Sequence, residues 1–309
     1  MAEEKVAMQR SSGHASVIEF NPHITAASHP RRWRAARILV KNRASLAGLL
    51  IMVLMLFLAL IGPTIAPYSP DAVHIRDKVH PPSGTYWLGT DQFGRDILSR
   101  FLYGSRISLA LSILGVSIAI IIGTALGAIA GFGRRSLDEL LMRIMDVLMA
   151  FPFIVLAIGL IAVVGPSLRN IVFVVALTRV PEFARVARGA VLSRKHEEFV
   201  VAARTVGLSE GRILVRHIMP NILTPVVVLA SLAMATAILT ESSLSFLGLG
   251  VQPPTASWGT MIGDGRNYIG DGFWISTVPG IAISVTILGF NLLGDGLRDV
   301  FDPRSRPRV

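Results

Sequence analysis

The chain contains no cysteine, so disulfides, thiolate metal ligands and a cysteine nucleophile are excluded. Its only lysines are Lys5, Lys41, Lys78 and Lys195, and none of them follows a glycine. The phosphate-binding loop GxxxxGK[ST] is therefore absent. Charge is scarce as well: 16% of the 309 residues are charged, against roughly 25% in an ordinary soluble protein. His196-Glu197-Glu198 does not form HExxH, no histidine pair has metal spacing, and no serine sits in a GxSxG elbow. No reactive constellation of an enzyme remains. What is present is apolar: 52% of the residues are hydrophobic and the mean hydropathy is +0.58. Together with long uncharged runs, this predicts an all-α, polytopic membrane protein.

Six membrane-spanning helices are expected. The first runs over 44–66, the second over 107–132 and the third over 144–165. The fourth starts near Asn170, the fifth covers 222–247 and the sixth 273–293. Along the second, Gly115, Ala119, Gly123, Gly127 and Gly131 recur every fourth residue. Such a stripe suits close helix packing, within the chain or at a dimer seam. The chain divides into a polar tail 1–43, a first helix with an outer segment 44–106, a five-helix core 107–300 and a tail 301–309. No secretory signal peptide is evident, because the first apolar run follows a tail of more than 40 residues.

The net charge of +10 suits a membrane rather than nucleic acid, because the basic residues cluster beside the apolar runs. Arg31, Arg32, Arg34, Arg37, Lys41 and Arg43 read as a membrane-surface anchor, with Trp33 at headgroup depth. With the N-terminus inside, the basic residues left outside are Arg76, Lys78, Arg95, Arg100, Arg106, Arg169 and Arg266. Both termini and the segment 197–221 then face the cytoplasm.

That segment, EEFVVAARTVGLSEGRILVRHIMPN, is polar and basic between two apolar runs. Its first part predicts a short helix, about 198–206, with Phe199, Ala202, Ala203 and Val206 on one face. Gly207 suits the left-handed position after a helix end. Ser209 is placed to cap a second helix carrying Ile213, Leu214 and Ile218 and ending near Pro220. A small-residue pair beside a sharp reversal makes a compact knob suited to a groove in a soluble partner.

Here the chain resembles the permeases of ABC-type importers, whose cytoplasmic loop reads Glu-Ala-Ala, three residues, Gly, nine residues, then Ile-x-Leu-Pro. The sequence gives Val201-Ala202-Ala203, Gly207 and Pro220 at that spacing. It departs with Val201 for Glu, His217 for Ile and Met219 for Leu, and Glu198 lies one turn before Val201. YWLGTDQFGRDILSR (86–100), SFLGLGVQPPTASW (245–258) and NLLGDGLRDVFDPR (291–304) are similar to the peptide branch, in particular the second permease of dipeptide, oligopeptide, glutathione and nickel importers. The likeness covers about 30–304.

The resemblance implies a type I importer permease in a bacterial plasma membrane, with no cofactor on this chain. It implies a homologous second permease, two cytosolic ATPases that bind ATP and Mg, and an extracytoplasmic solute-binding protein. Glu198, Phe199, Ala202, Ala203, Arg204, Gly207, Leu208, Arg212 and Pro220 would dock in an ATPase groove. Trp87, Asp91, Phe93 and Arg95 would contact the binding protein, or belong to a cap on the outer face. The transported solute is a peptide on resemblance alone; glutathione, a nickel complex and an oligosaccharide fit the same machine. A stand-alone secondary transporter would need its own coupling-ion site and usually an internal repeat, and no convincing repeat is seen.

Three charges fall inside the apolar helices: Arg179, Glu182 and Glu241. Counting from Asn170 puts Arg179 about 13–15 Å into the membrane. Buried charges at such depth usually face an aqueous path. Arg179 and Glu182 are thus candidates to meet a charged terminus of the solute, or else a self-neutralising pair at i, i+3. Glu241, toward the outer end of the fifth span, suits a gate or helix contact.

Overall fold

A computed structural model describes residues 42–301. The expected basic anchor, apart from Arg43, and most of the C-terminal tail lie outside the described residues. Ten helices carry the described chain: α1 (Arg43–Ile65), α2 (Ile97–Phe132), α3 (Arg135–Met149), α4 (Phe153–Val164), α5 (Leu168–Arg194), α6 (Glu198–Thr205), α7 (Glu210–Ile213), α8 (Met219–Phe246), α9 (Trp258–Gly265) and α10 (Trp274–Phe301). α1, α2, the continuous stretch Glu210–Phe246 and α10 are each long and apolar enough to cross a membrane. α3 and α4 qualify together as a broken fifth, bent by 90°.

Local chemistry explains where these boundaries differ from expectation. α2 begins ten residues early because the Asp96 carboxylate accepts from the Ser99 backbone N–H and hydroxyl, both at 2.7 Å. The expected third helix is broken because Pro152 has no backbone N–H to continue it and occupies the N-cap of α4. Pro220 does not end a helix. It sits in the first turn of α8, where a missing N–H costs nothing, and a π turn over Leu214–Ile218 joins it to α7. α5 has the length to span, but Arg179, Glu182, Arg185 and Arg188 lower its apolar character.

The small-residue stripe packs within the chain. A Cβ on Gly115 would meet Val175 and one on Gly123 would meet Phe183 and Val180. One on Gly127 would overlap the Ala184 carbonyl, and one on Gly131 would meet Arg188 and Val191. Rising numbers pair with rising numbers, so α2 and α5 run parallel and their backbones nearly touch. α1 runs antiparallel to α10, with Gly48 against Leu292 and Leu293 and Gly289 against Ile51. Ser231 of α8 lies against Gly294.

Two ends result. One, the cap end, holds 66–96 and α9: Arg95 reaches Asp264 at 3.3 Å and the Trp274 indole N–H donates to the Thr90 carbonyl at 3.2 Å. The other, the loop end, holds α6 and α7, where Val200, Ala203, Ile213, Ile218 and Ile222 pack with Ala128, Ala187 and Val191.

The packing predicts opposite outcomes for one substitution at two glycines. Gly127→Ala forces the α2 and α5 backbones apart and is expected to cost about 1–3 kcal/mol. At Gly189 a Cβ meets nothing within 4 Å, so Gly189→Ala is expected to be neutral or to gain up to about 1 kcal/mol of helix propensity. Thermal unfolding of the detergent-solubilised chain measures both; equal melting temperatures for the two variants would contradict the packing.

Candidate functional site

At the loop end, α6 closes in a Schellman motif. The Gly207 N–H donates to the Arg204 carbonyl at 2.9 Å and the Leu208 N–H to the Ala203 carbonyl at 3.1 Å. Gly207 has φ +83°, the left-handed region that a glycine enters without steric cost. A Cβ there meets nothing, so its role is conformational rather than one of close approach. The Arg204 guanidinium then reaches across the turn and grips Glu210 with two bonds, 2.9 and 3.1 Å. This hydrogen bond to a carboxylate holds Arg204 above its ordinary pKa. Ser209 is the N-cap of α7, but its side chain makes no capping bond.

The inward face differs from the expected one. Val200 and Ala203 point into the chain, Phe199 and Leu208 are half-buried, and Ala202 and Val206 face out. At about 100° per residue, 199, 202, 203 and 206 would share one face of an ideal helix, but here Val200 and Ala203, three residues apart, form the buried pair, and Val206 is the C-cap beyond the last helical residue. The small pair is split: Ala203 anchors the knob and Ala202 lies on its surface. Val201, Ala202, Val206 (81% exposed) and Val215 are apolar residues of the segment left exposed. Glu198, Arg204, Arg212 and Pro220 are also exposed.

Midway along the bundle, the Arg179 side chain is 5% exposed and its Nη1 donates to Glu182 at 3.0 Å. Its guanidinium stands over the Phe153 ring at 5.0 Å. Two of its nitrogens, Nε and Nη2, are buried without a hydrogen-bond partner. Further toward the loop end, Arg185 pairs with Asp146 at 2.7 Å and Arg188 grips Asp138 with two bonds. These pairs lash α3 to α5.

Glu241 is fully buried. Ser245 donates to its Oε1 at 2.9 Å and Ser242 lies 3.4 Å from Oε2, while Ser108 and Ser257 face it from α2 and the α9 cap. Its contacts are therefore with helices, and of Arg179, Glu182 and Glu241 only Glu182 is substantially exposed, at 36%.

At the cap end the four expected contact residues separate. Asp91 and Arg95 are buried and paired at 2.6 Å, and Arg100 lies 3.6 Å from the same Asp91 carboxylate. Asp264 completes the network from α9, 3.3 Å from Arg95. Trp87 is 71% and Phe93 47% exposed. Nearby, burial and the hydrogen bond to Asp77 push the Tyr86 hydroxyl above its usual pKa. The sequence pattern had not marked Arg100, Asp264, Phe153 or the serines around Glu241. Asp264, Phe153, Ser108 and Ser257 come from elements distant in the chain from the groups they face, whereas Ser242 and Ser245 lie within one turn of Glu241 and were a local signal.

With this geometry in place, comparison with known proteins becomes decisive. Residues 123–307 match the family described as the inner membrane component of binding-protein-dependent transport systems. The chain belongs to that family. Residues 31–82 match the N-terminal transmembrane domain of oligopeptide transport permease C. The chain is 43% identical over 275 residues to the dipeptide transport system permease protein DppC of Alkalihalophilus pseudofirmus, covering 89% of this chain and 90% of that one. It is 40% identical to the di/tripeptide permease DppC of Pseudomonas aeruginosa, covering 86% and 89%. It is 42% identical to the glutathione permease GsiD of Pectobacterium atrosepticum, covering 89% and 90%. Among solved structures, the inward-facing MetNI methionine ABC transporter aligns with a TM-score of 0.54 at 18% identity, covering 67% of this permease and 97% of that chain. That likeness concerns the fold, a type I importer permease.

The cap network yields a stability prediction. Asp91→Ala removes the buried carboxylate that Arg95 and Arg100 share and leaves them only the more exposed Asp264 and Asp71, and is expected to cost about 3–5 kcal/mol. Trp87→Ala, on the exposed surface, is expected to stay within about 0.5 kcal/mol of the parent. Thermal unfolding of the two variants side by side checks this, and equal losses would show that the network carries no special stability.

Proposed function

We propose that this chain is one of two membrane-spanning permease subunits of an ATP-driven importer of di- and oligopeptides. The observation that carries the proposal is the knob 197–221. Its inner face is anchored, it leaves apolar residues exposed, and it sits at one end of a bundle belonging to a transport-system family. Dipeptide and di/tripeptide permeases among the relatives favour peptides. Glutathione is the second candidate, favoured by a relative of similar identity.

Six spans fit the proposal: α1, α2, the broken α3–α4, α5, α8 and α10. α5 counts as a span because it lies along α2 from Val172 to Val191. The distribution of Lys and Arg supports an orientation with both termini and the knob in the cytoplasm, and the membrane would be a bacterial inner membrane. The divisions 1–43, 44–106, 107–300 and 301–309 become tail, first span with cap, core and tail.

A second permease would complete the path. Two cytosolic ATPases would bind ATP and Mg, and this chain would hydrolyse nothing. Glu198, Ala202, Arg204, Gly207, Arg212 and Pro220 would meet an ATPase groove, with Phe199, Ala203 and Leu208 setting the knob's shape from beneath. Nucleotide binds the open and closed ATPase pair unequally, so closure moves the knob and tilts the spans. Arg179 and Glu182 belong to the path, with Glu241 as a contact that holds α8 near its outer end. An extracytoplasmic binding protein would meet Trp87 and Phe93, with Asp91 and Arg95 supporting them from below.

Reconstitution tests the proposal. Proteoliposomes holding this chain, its partner permease, the ATPases and the binding protein should take up labelled dipeptide only with both ATP and the binding protein present. Val206→Asp buries an unpaired charge at the docked surface and should lower uptake by about tenfold or more, with the chain's own melting temperature unchanged. Uptake by this chain alone, driven by an ion gradient, would overturn the assignment.

A further inference from the structure

We propose that Arg179 is a carboxylate-binding residue of the translocation path, and that its Nε–Nη2 edge receives the terminal carboxylate of the transported peptide. The inference rests on the importer assignment above and names the chemistry of one point on the path.

Depth comes first. Val175 lies against Gly115 and Phe183 against Gly123, so Arg179 stands about level with Ala119. That is the middle of the uncharged stretch Ile107–Phe132. A guanidinium at this depth is costly and is retained where it pairs or serves a polar path.

Pairing here is incomplete in a specific way. Glu182 occupies Nη1 at 3.0 Å. The two nitrogens left without partners, Nε and Nη2, are both buried. They are adjacent on the guanidinium and form its side-on fork, whose two parallel N–H groups match the two oxygens of a carboxylate. A purely structural ion pair would satisfy this edge, because buried donors left open carry their full desolvation cost. Glu182 instead leaves the fork open and fixes its orientation from the other side.

The site is closed in this conformation. The Phe153 ring covers the guanidinium at 5.0 Å, and Phe153 is the first residue of α4, directly after the 90° break from α3. Pro181, two residues beyond Arg179, removes one backbone hydrogen bond from α5 at the same level. Movement of α4 at its break would uncover the fork without disturbing the α2–α5 contact. The partly exposed Glu182 marks the side from which solvent reaches the pair.

The test uses the complete transporter in proteoliposomes, with the binding protein saturated in turn by a labelled dipeptide and by its C-terminal amide. The parent transporter is expected to import the free acid about tenfold or more faster than the amide, since a site built to hydrogen-bond a group rejects an analogue lacking it. Arg179→Gln should bring the ratio close to one by losing acid uptake, while ATPase activity stimulated by the loaded binding protein persists and shows that the complex is assembled. Arg179→Lys keeps the charge without the fork and should lose most of the preference, so it carries the test if the glutamine variant does not assemble. An unchanged ratio in either variant, with normal parent uptake, overturns the carboxylate site alone, as does a parent ratio near one. No ATP-driven uptake of either ligand by the parent overturns the importer assignment and the site with it.

Discussion

Backbone contact between α2 and α5 is the constraint on which the rest of the bundle depends. Lipid offers no hydrophobic force to press two helices together, so association relies on van der Waals contact at short range. Gly115, Gly123, Gly127 and Gly131 remove the side chains that would keep the axes apart. The gain is more than cohesion. α5 carries Arg179, Glu182, Arg185 and Arg188, and a helix with that many charges would not hold a membrane position alone. Packed parallel to α2, it holds those charges at fixed levels along the bundle.

The charged groups along the bundle are handled by different devices. At the cap end, Asp91, Arg95, Arg100 and Asp264 compensate one another, which ties the segment before α2 to α9. Glu241 is surrounded by serine hydroxyls from α2, α8 and the α9 cap. Arg185 and Arg188 take Asp146 and Asp138 from α3. Arg179 alone among these is left with an open bonding edge. Full compensation suits joints that stay shut, and an incomplete one suits a place where something else must bind.

The knob follows a mechanical logic. Two short helices joined by one left-handed glycine would be marginal in isolation. Here Val200, Ala203, Ile213 and Ile218 hold them against α2 and α5, and the Arg204–Glu210 pair spans the turn. The π turn at Leu214–Ile218 leads without a break into α8. Under the proposed function, a push on Val206 would travel through one continuous helical element into a membrane span.

The sequence by itself determined the class of the protein. Apolar runs of bilayer length, scarce charge and the absence of reactive motifs require helices in a membrane, and Gly207 and the glycine stripe announce a reversal and a close contact. These are legible because they depend on residues near one another in the chain, through helical periodicity and backbone conformation. Tertiary structure alone decided which partners those features take. It sent the stripe to α5, turned Ala203 inward and Ala202 outward, broke the third span at Pro152, and drew Asp91 and Arg95 into a network with Arg100 and Asp264. It also set Phe153 over Arg179 and left Nε and Nη2 open. Whether a charge is satisfied depends on groups far away in sequence, arriving within about 3 Å only once the helices are packed.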